Sequence, residues 1–472
     1  MVSLYLPITS QPRELDSKLL LALCAAEHGL SPLIGYKSSL RFHVEGKAPG
    51  FYLAHNARQK AEKLRSVRQA GHRVIVLDEE ALVRQSDEIF LKKHPTGALA
   101  QVDHMLCWGE DDRAMWVRSD TDYAGGYSLV GNPRMDLIRP EIASGVYAQD
   151  IASIRARFGD FVLLNTNFPT VNNLTPYGGG VRLAAWAMDA KGQEQSDAFL
   201  KNKRALFEAE LALVRPLAQA IAPLTLVIRP HPNENHAPWH EAAAGLPNVQ
   251  VAFEGGIVPW LLAARAIVHN GCTTAVEAAV AGTPVINFRP WQNEWDNPLA
   301  HAFGPDCADA AAVAAAIADL GSATQRQSQA DRLARYVASA SGAYAGDRIA
   351  QSLLHEAGLP ADATRPGLRD RLRARLGYAV TWTGRYLAWY CTRKGLRRGR
   401  FLRKAFPQVR PSSLDAEMLS YTPEQLELLM RQFPPLDGAQ LNARIAHFAK
   451  AFGRFDGLQA HRINDYLFRI GR

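Results

Sequence analysis

Two short segments combine residue types that bind phosphate groups. The first, VIRPHPNEN at Val227–Asn235, places Arg229 and His231 around two prolines directly after an apolar run. Arginine forms charge-assisted, often bidentate hydrogen bonds with phosphate, and a histidine ring can donate one more. Because Pro230 and Pro232 restrict the backbone, the segment predicts a rigid turn that presents His231 at the end of a strand.

The second segment, IVHNGCTTAVEAAVAGTPVI at Ile267–Ile286, predicts a strand, a tight turn and an alanine-rich helix. Gly271 would let a ligand approach the backbone, and Thr273 or Thr274 would cap the helix. Unpaired amides and the positive end of the helix dipole favour a phosphate at such a helix start. Glu277, one turn along, would lie where a carboxylate accepts hydrogen bonds from ribose hydroxyls.

Each segment also has an ordinary interpretation, since strand–turn–helix units and solvent-facing turns are common in α/β proteins. Both nevertheless end strands of one predicted sheet, and open α/β sheets bind ligands at the carboxyl ends of their strands. We therefore expect the two turns to hold the phosphates of one nucleotide. The residues predicted to form this donor site are Arg229, His231, Pro232, Asn270, Gly271, Cys272, Thr273, Thr274 and Glu277.

Strands and helices alternate along the first 357 residues. Short apolar runs such as SLYLPI and HRVIVL are separated by amphipathic segments such as SKLLLALCAAEHG. This alternation is typical of parallel sheets covered by helices on both faces. The sequence predicts an α/β protein with two doubly wound, Rossmann-like domains that face a cleft, at 1–160 and 161–357.

Residues 358–472 differ in character and are predicted to form a helical, basic and aromatic tail. Between Arg365 and Lys404 there are thirteen Lys and Arg residues and one acidic residue, Asp370, among Trp and Tyr side chains. An anionic membrane surface is the expected partner, because arginine binds lipid headgroups while Trp and Tyr lie at the interface. Packing on the two domains is the alternative. Nucleic acid is not expected, because no nucleic-acid-binding motif precedes the tail.

The overall composition is that of a globular protein of 472 residues, with 47% hydrophobic residues and a net charge of +8. The five cysteines lack metal-ligand spacing, no Asp-x-Asp motif stands in a fitting context and the histidines are scattered, so no metal is expected. No cofactor is predicted either. The N-terminus lacks the pattern of a signal peptide, and no apolar run approaches the roughly 18–20 residues of a membrane-spanning helix. A cytoplasmic protein is expected, peripheral on the inner face of the cytoplasmic membrane if its tail binds lipid.

Several motifs resemble, in the same order, those of bacterial surface carbohydrate biosynthesis proteins. They are SLYLPITSQPRELDSKLLLALCAAEHG, VIVLDEE, CWGEDD, VGNPRMDL, LLNTNF, RPHP, HNGCTTAVEAAVAGTPVI and the terminal NDYLFRI. The resemblance implies a GT-B glycosyltransferase, similar to the retaining transferases that move 3-deoxy-manno-octulosonic acid (Kdo) from CMP-Kdo into lipopolysaccharide or capsule. It also implies that His231 and Pro232 contact the donor phosphate and that Gly271–Thr274 forms the nucleotide-binding helix start.

In such a transferase the first domain would supply the acid and base groups. The acidic residues that follow its predicted strands are Glu14, Asp16, Asp78, Glu79, Glu80, Glu110, Asp111, Asp112 and Asp136. The first expected catalytic pair is Glu14 with Asp16, unless Asp16 caps the helix. The second is Glu110 with Asp111, unless this run is a solvated loop. Lys18 would neutralise an anionic substrate or remain solvated.

Three further polar residues have two interpretations each. Glu234 would either orient His231 or face water. Asn165 and Asn167 would bind sugar hydroxyls or satisfy their own backbone.

The sequence therefore predicts a glycosyltransferase that moves a sugar, with CMP-Kdo the expected donor, to a lipid-linked or oligosaccharide acceptor. A polyol-phosphate transferase that uses CDP-glycerol and a nucleotide-sugar epimerase are alternatives with the same fold. A membrane-associated assembly protein without catalytic activity is the alternative from another class, and it predicts no tight nucleotide binding.

Overall fold

The computed structural model describes residues 1–472 except 9–10, 38–39, 41–43, 45–46, 48, 58–60, 83–86, 93, 95–98, 121, 175–189, 321–331, 359–435 and 465–466. The basic and aromatic segment at 365–404 lies outside the described residues. Within them, no helix has both the length and the apolar character needed to cross a bilayer.

The first sheet has eight strands, six of them parallel. They are β1 (Ser3–Ile8), β2 (Ser31–Tyr36), β3 (Gly50–Ala54), β4 (Arg73–Leu77), β5 (His104–Cys107), β6 (Gly126–Leu129), β13 (Gln459–Asn464) and β14 (Leu467–Gly471), in the order β13–β14–β2–β1–β3–β4–β5–β6. Its helices are α1 (Gln11–Glu27), α2 (Ala61–Gln69), α3 (Asp87–Lys92), α4 (Glu110–Ser119) and α5 (Pro133–Asp136). Leu4 and Leu6 of β1 join the cluster that contains α1, whereas Tyr5 joins the cluster that contains α2. Both faces of the sheet are therefore buried, as the alternating pattern predicted.

The second sheet has six parallel strands, reached from the first through α6 (Pro140–Phe158). They are β7 (Phe161–Asn165), β8 (Thr225–Arg229), β9 (Val249–Val251), β10 (Ala266–His269), β11 (Val285–Phe288) and β12 (Asp306–Cys307), in the order β12–β11–β10–β7–β8–β9. Its helices are α7 (Ala190–Ala220), α8 (Ala237–Ala243), α9 (Val258–Ala263), α10 (Thr274–Ala281) and α11 (Ala310–Ala318). The chain builds β8 and β9 on one side of β7 before it returns to β10 on the other. The carboxyl ends of β7 and β10 thus form a topological switch point, where open α/β sheets bind ligands.

The chain returns to the first sheet earlier than residue 358. Helix α12 (Ala345–His355), which the sequence placed in the second domain, packs against α1 of the first. Contact is close, because a Cβ at Gly346 would come within 2.6 Å of the Cys24 sulphur. Helix α13 (Gly438–Phe452) follows the undescribed segment and packs against α6 and α1.

The end of the chain is a β-hairpin. Strand β13 pairs antiparallel with β14, and β14 pairs antiparallel with β2, with Phe468 beside Ile34. The prediction of a helical C-terminal region therefore holds for α13 and is wrong for residues 459–471, whose backbone hydrogen bonds complete the edge of the first sheet.

Candidate functional site

The two predicted phosphate-binding turns leave the second sheet on either side of β7. In the parallel register, Asn165 at the end of β7 lies beside Arg229 of β8 and beside His269 of β10. Neighbouring strands are about 4.8 Å apart, so the two turns begin roughly 10 Å from each other. Both lie at the carboxyl edge of one sheet, where their sequence positions had placed them.

A buried histidine supports the turn that precedes α10. Gly271 has φ +67°, a left-handed conformation that favours glycine. The Nδ1 atom of His269 accepts a hydrogen bond from the Cys272 amide at 3.2 Å, and its Nε2 donates to Asn287 Oδ1 at 3.0 Å. Burial lowers the pKa of His269 to about 3, so the ring is neutral and keeps one donor and one acceptor.

Polar side chains of the same turn are bound to neighbouring strands. The side-chain Nδ2 group of Asn270 donates to the Phe288 backbone carbonyl at 2.9 Å. Asn165 donates to the Thr274 hydroxyl at 3.2 Å and to the Cys272 sulphur at 3.4 Å. Asn165 thus fixes the turn, a role that neither of its two sequence interpretations had given it.

Helix α10 begins without a threonine cap. Thr273 is the N-cap residue and makes no side-chain capping hydrogen bond, while the Thr274 hydroxyl is bonded to Asn165 and Cys272. The predicted cap by Thr273 or Thr274 is therefore wrong. The amides of Ala275 and Val276 are bonded to the Cys272 and Thr273 carbonyls, so the earlier amides of the turn are the ones a ligand could bind at the positive end of this helix. Gly282, at φ +73°, ends the helix as its sequence predicted.

The second turn orients the ring of His231. The Asn233 amide donates to His231 Nδ1 at 3.2 Å, which places the proton of the neutral ring on Nε2. The backbone amide of His231 lies 3.3 Å from both Thr166 Oγ1 and Glu234 Oε1. His231 is half-buried and Pro232 is exposed, so the ring stands at the surface of the sheet edge with its tautomer set by the backbone.

Glu234 is fully buried and holds this turn together. Its carboxylate accepts hydrogen bonds from the Thr166 hydroxyl, the Phe168 and His231 amides, the Trp239 indole and the Asn172 side chain. Burial raises the pKa of Glu234, and these hydrogen bonds oppose the rise. Of its two predicted roles, Glu234 has the orienting one, which acts through the backbone of His231.

The guanidinium of Arg229 is bonded to a loop of the second domain. Its two terminal nitrogens donate to the carbonyls of Glu254 and Gly255 at 2.9 and 2.8 Å. The guanidinium lies over the rings of Phe253 and Trp260, and burial lowers its pKa to about 10. These contacts do not support a donor-binding role for Arg229, because its hydrogen bonds anchor the loop after β9.

Glu14 and Asp16 do not form a carboxylate pair. Residues two apart on a helix do not face each other, and both lie in α1. Asp16 Oδ1 accepts a hydrogen bond from Arg444 Nε of α13 at 3.0 Å, while burial raises the Asp16 pKa. Asp16 therefore joins two helices, and Glu14 lies buried in the first turn of α1.

Glu110 and Asp111 begin α4 and each lies near an arginine. Glu110 is exposed and pairs with Arg113 at 2.6 Å, which holds the Glu110 pKa below its ordinary value. Asp111 lies 3.5 Å from Arg335, which belongs to the segment that leads back to the first sheet. Glu110 is therefore solvent-exposed, as the alternative interpretation of this run predicted. Glu110 and Asp111 each lie near a different arginine and do not form the expected pair of carboxylates.

Lys18 and Glu79, both named from the sequence, meet in a charged cluster at the carboxyl edge of the first sheet, and the sequence did not predict that they pair. Lys18 and Glu79 form a buried ion pair at 2.7 Å, and Asn132 donates to the second Glu79 oxygen at 3.1 Å. Burial alone would raise the pKa of Glu79, but the charges of Lys18 and Arg134 and the two hydrogen bonds hold it at about 2. Lys18 therefore neutralises Glu79.

One ion pair joins the edges of the two sheets. Arg134, which follows β6, has its Nε 3.2 Å from Glu277 Oε1 in α10, and its guanidinium lies over Trp108 at 5.5 Å. Glu277 is itself buried. Arg134 belongs to the motif VGNPRMD, which is notable in the sequence because it follows a predicted strand. No local sequence pattern predicted that its partner would be Glu277 of the other domain.

The described residues contain no group of three or more His, Cys, Asp or Glu side chains arranged to bind a metal ion. Neither a protein-family model nor a curated protein matches the chain.

Solved structures do match it. A UDP-GlcNAc 2-epimerase from Methanocaldococcus jannaschii has a TM-score of 0.50 at 9% identity and covers 75% of this chain and 100% of its own. A candidate UDP-N-acetylglucosamine 2-epimerase from Listeria monocytogenes has a TM-score of 0.50 at 12% identity and covers 77% and 98%. The chain has a GT-B fold. The wall teichoic acid polymerase TagF also matches, at a TM-score of 0.43 and 9% identity over 75% of this chain and 89% of its own. Identities this low show the fold alone, so the two predicted Rossmann-like domains are confirmed, and a Kdo-transferring family is not shown.

Proposed function

We propose that the protein is an enzyme of bacterial surface-glycan assembly that binds a nucleotide-activated donor at the carboxyl edge of the second sheet. The observation that carries this proposal is the pair of turns on either side of β7, each held by a buried polar side chain. His269 supports the turn before α10, and Glu234 supports the turn of His231. Turns fixed in this way preorganise hydrogen-bond donors for an anion.

In this proposal the donor phosphate lies between His231 and the start of α10. The Nε2–H group of His231 and the amides of Gly271 and Thr273 donate to it, and the helix dipole favours its charge. Pro232 and Cys272 shape the two turns, and Glu277 lies one turn further along α10, on the side expected for the ribose.

Sugar transfer is the reaction we propose, to a lipid-linked or oligosaccharide acceptor. CMP-Kdo is the first donor to test, and its choice rests on the motif resemblance. Among the predicted acids we propose Glu14 as the catalytic base. Glu14 lies in the first turn of α1, the helix that follows β1. The strand order of the first sheet reverses between β1 and β3, and open α/β sheets bind ligands at such a switch point.

Epimerisation of a nucleotide sugar is the second candidate. Two structural neighbours carry the name of that activity, and the same donor site would serve either reaction. Transfer releases the nucleotide only when an acceptor is present, whereas epimerisation changes the sugar without an acceptor.

Membrane attachment through residues 365–404 completes the proposal. Both described flanks of the undescribed segment lie on the first domain, where Arg73 of β4 donates to the Ala357 carbonyl and Leu436 is buried. A basic segment inserted there would hold the expected acceptor domain at an anionic membrane. Co-sedimentation with vesicles that contain phosphatidylglycerol, compared with neutral vesicles, tests this part.

Calorimetric titration with CMP, CDP, UDP and GDP tests the donor site. We expect at least one nucleotide to bind, and His231→Ala to weaken its affinity about tenfold or more, since a hydrogen bond to a charged group contributes roughly 1.5–3 kcal/mol. His240→Ala, at an exposed position of α8, is the matched control and should bind as the wild type does. If the wild type binds none of the four, the chain is not a nucleotide-dependent enzyme and the assembly-protein alternative gains support.

A further inference from the structure

Arg134 is a cation whose guanidinium makes no side-chain hydrogen bond to another described residue. Its Nε lies at ion-pair distance from Glu277 but is buried without a hydrogen bond to any described residue. The guanidinium also makes a cation–π contact with Trp108, with its Cζ 5.5 Å from the ring centroid. The side chain keeps 15% of its surface exposed.

The neighbouring cation cannot take the same role. Lys18 is buried against Glu79 at 2.7 Å, with side-chain exposures of 3% and 9%, and the second Glu79 oxygen accepts from Asn132. Both charges of that pair are neutralised within the first domain. The charge of Arg134 also lowers the Glu79 pKa, but its ion pair among the described residues is with Glu277, a carboxylate of the proposed donor helix.

We propose that Arg134 is the first domain's ligand for an oxyanion of the donor, and that Glu277 occupies its place until the donor binds. The inference rests on the proposed function, which supplies the donor at α10. Glu277 lies one turn from the helix start, so an anion bound at Gly271–Thr274 comes within reach of the planar guanidinium fork. A phosphate or a sugar carboxylate matches that fork, because both present two oxygens in one plane.

This arrangement gives Glu277 a measurable competing effect. The carboxylate both neutralises Arg134 and repels an incoming anion, so its removal should favour the anion while removal of Arg134 should disfavour it. A purely structural ion pair would instead make the two substitutions act in the same direction, since each leaves its partner buried and uncompensated.

Titrations of the full-length chain with pyrophosphate, CMP and free Kdo test the proposal. Arg134→Gln should weaken binding about tenfold or more, Arg134→Lys should restore part of the loss as a point charge, and Glu277→Gln should strengthen pyrophosphate binding roughly two- to fivefold. Pyrophosphate lacks a ribose, so any ribose contact of Glu277 does not affect this arm. Arg118→Gln, an arginine with 65% side-chain exposure at the far end of α4, is the matched control.

The arms separate the possible anions and the possible failures. Weakened pyrophosphate and CMP binding identifies the phosphate as the ligand of Arg134, and weakened Kdo binding alone identifies a sugar carboxylate. If His231→Ala loses the nucleotide but Arg134→Gln binds all three probes normally, this inference is overturned and the proposed function stands. If the wild type binds no nucleotide, the proposed function fails first. Should Arg134→Gln not fold, the opposite signs expected for Arg134→Lys and Glu277→Gln decide the matter.

Discussion

At the scale of single residues, the surroundings of a side chain decide between roles that its type leaves open. Arg229 and His231 stand two residues apart in one motif, yet the guanidinium binds carbonyls of a loop while the ring stays at the sheet edge. Glu234 follows three residues later and is fully buried. Its carboxylate makes the His231 turn rigid, which is why the turn can present a donor in one orientation.

Replacement of the Glu234 carboxylate by an amide should destabilise the protein strongly. Both oxygens of the Glu234 side chain accept hydrogen bonds from buried donors. In Glu234→Gln an NH2 group would replace one of these oxygens and would face a donor instead of accepting from it. Breaking a buried charged network costs about 3 kcal/mol or more. Urea denaturation measures the loss in free energy of unfolding. Glu241→Gln, an exposed glutamate on α8, should change it by about 0.5 kcal/mol or less. An equal stability of the two variants would show that the Glu234 network contributes little.

At the scale of elements, the last strands of the chain complete a sheet that the first residues begin. Strand β14 lies beside β2. Phe468 and Ile470 are buried on one face of the strand, while Leu467 is buried and Arg469 exposed on the other. The hairpin covers the edge of β2, whose backbone groups would otherwise be available to another chain.

Phe468→Ala should therefore destabilise the first domain although it lies in the last strand of the sequence. Phe468 is 1% exposed and packs in the main core cluster, and large-to-small changes of buried aromatics cost about 3–5 kcal/mol. Arg469→Ala is the control on the opposite face of the same strand and should be close to neutral. The measurement is the unfolding midpoint of each variant, and similar midpoints would mean that the hairpin is dispensable for the fold.

At the scale of the whole molecule, the chain passes between the two sheets more than once. Helix α6 leads from the first sheet to the second, and α12 brings the chain back onto α1. Asp136 lies at this return: it is fully buried, and its Oδ2 accepts a hydrogen bond from the Gly346 amide in the first turn of α12 at 3.3 Å. The sequence placed this residue among the acids of the cleft, but it stabilises the start of the returning helix.

Asp136 should make the stability of the protein depend on pH near neutrality. Burial raises its pKa to about 7, so the folded state keeps the proton between pH 4 and 7 while the unfolded state loses it, and stability falls as pH rises through this window. The free energy of unfolding of the wild type relative to Asp136→Asn should decrease by up to about 4 kcal/mol from pH 4 to pH 8. Asp150→Asn, at an exposed position of α6, should show no such trend. A flat difference between wild type and Asp136→Asn would place the Asp136 pKa near its ordinary value.

The sequence by itself determined the two parallel sheets, the positions of the two turns and the end of α10 at Gly282. These features depend on local patterns: apolar runs of strand length, prolines around His231, and glycine where φ is positive. The sequence also predicted that both faces of the sheets are buried, because strands such as β1 are nearly continuous apolar runs and do not alternate with polar residues.

Only the tertiary structure decided which polar groups meet. Arg134 and Glu277 are separated by 143 positions in the sequence and belong to different domains. Asp16, near the start of the chain, accepts a hydrogen bond from Arg444, near its end. The hairpin partner of β2 likewise comes from residues 467–471. A local pattern cannot encode such contacts, because it fixes which face of an element is buried but not which element covers that face. The charge balance of the cleft is therefore a property of the folded molecule.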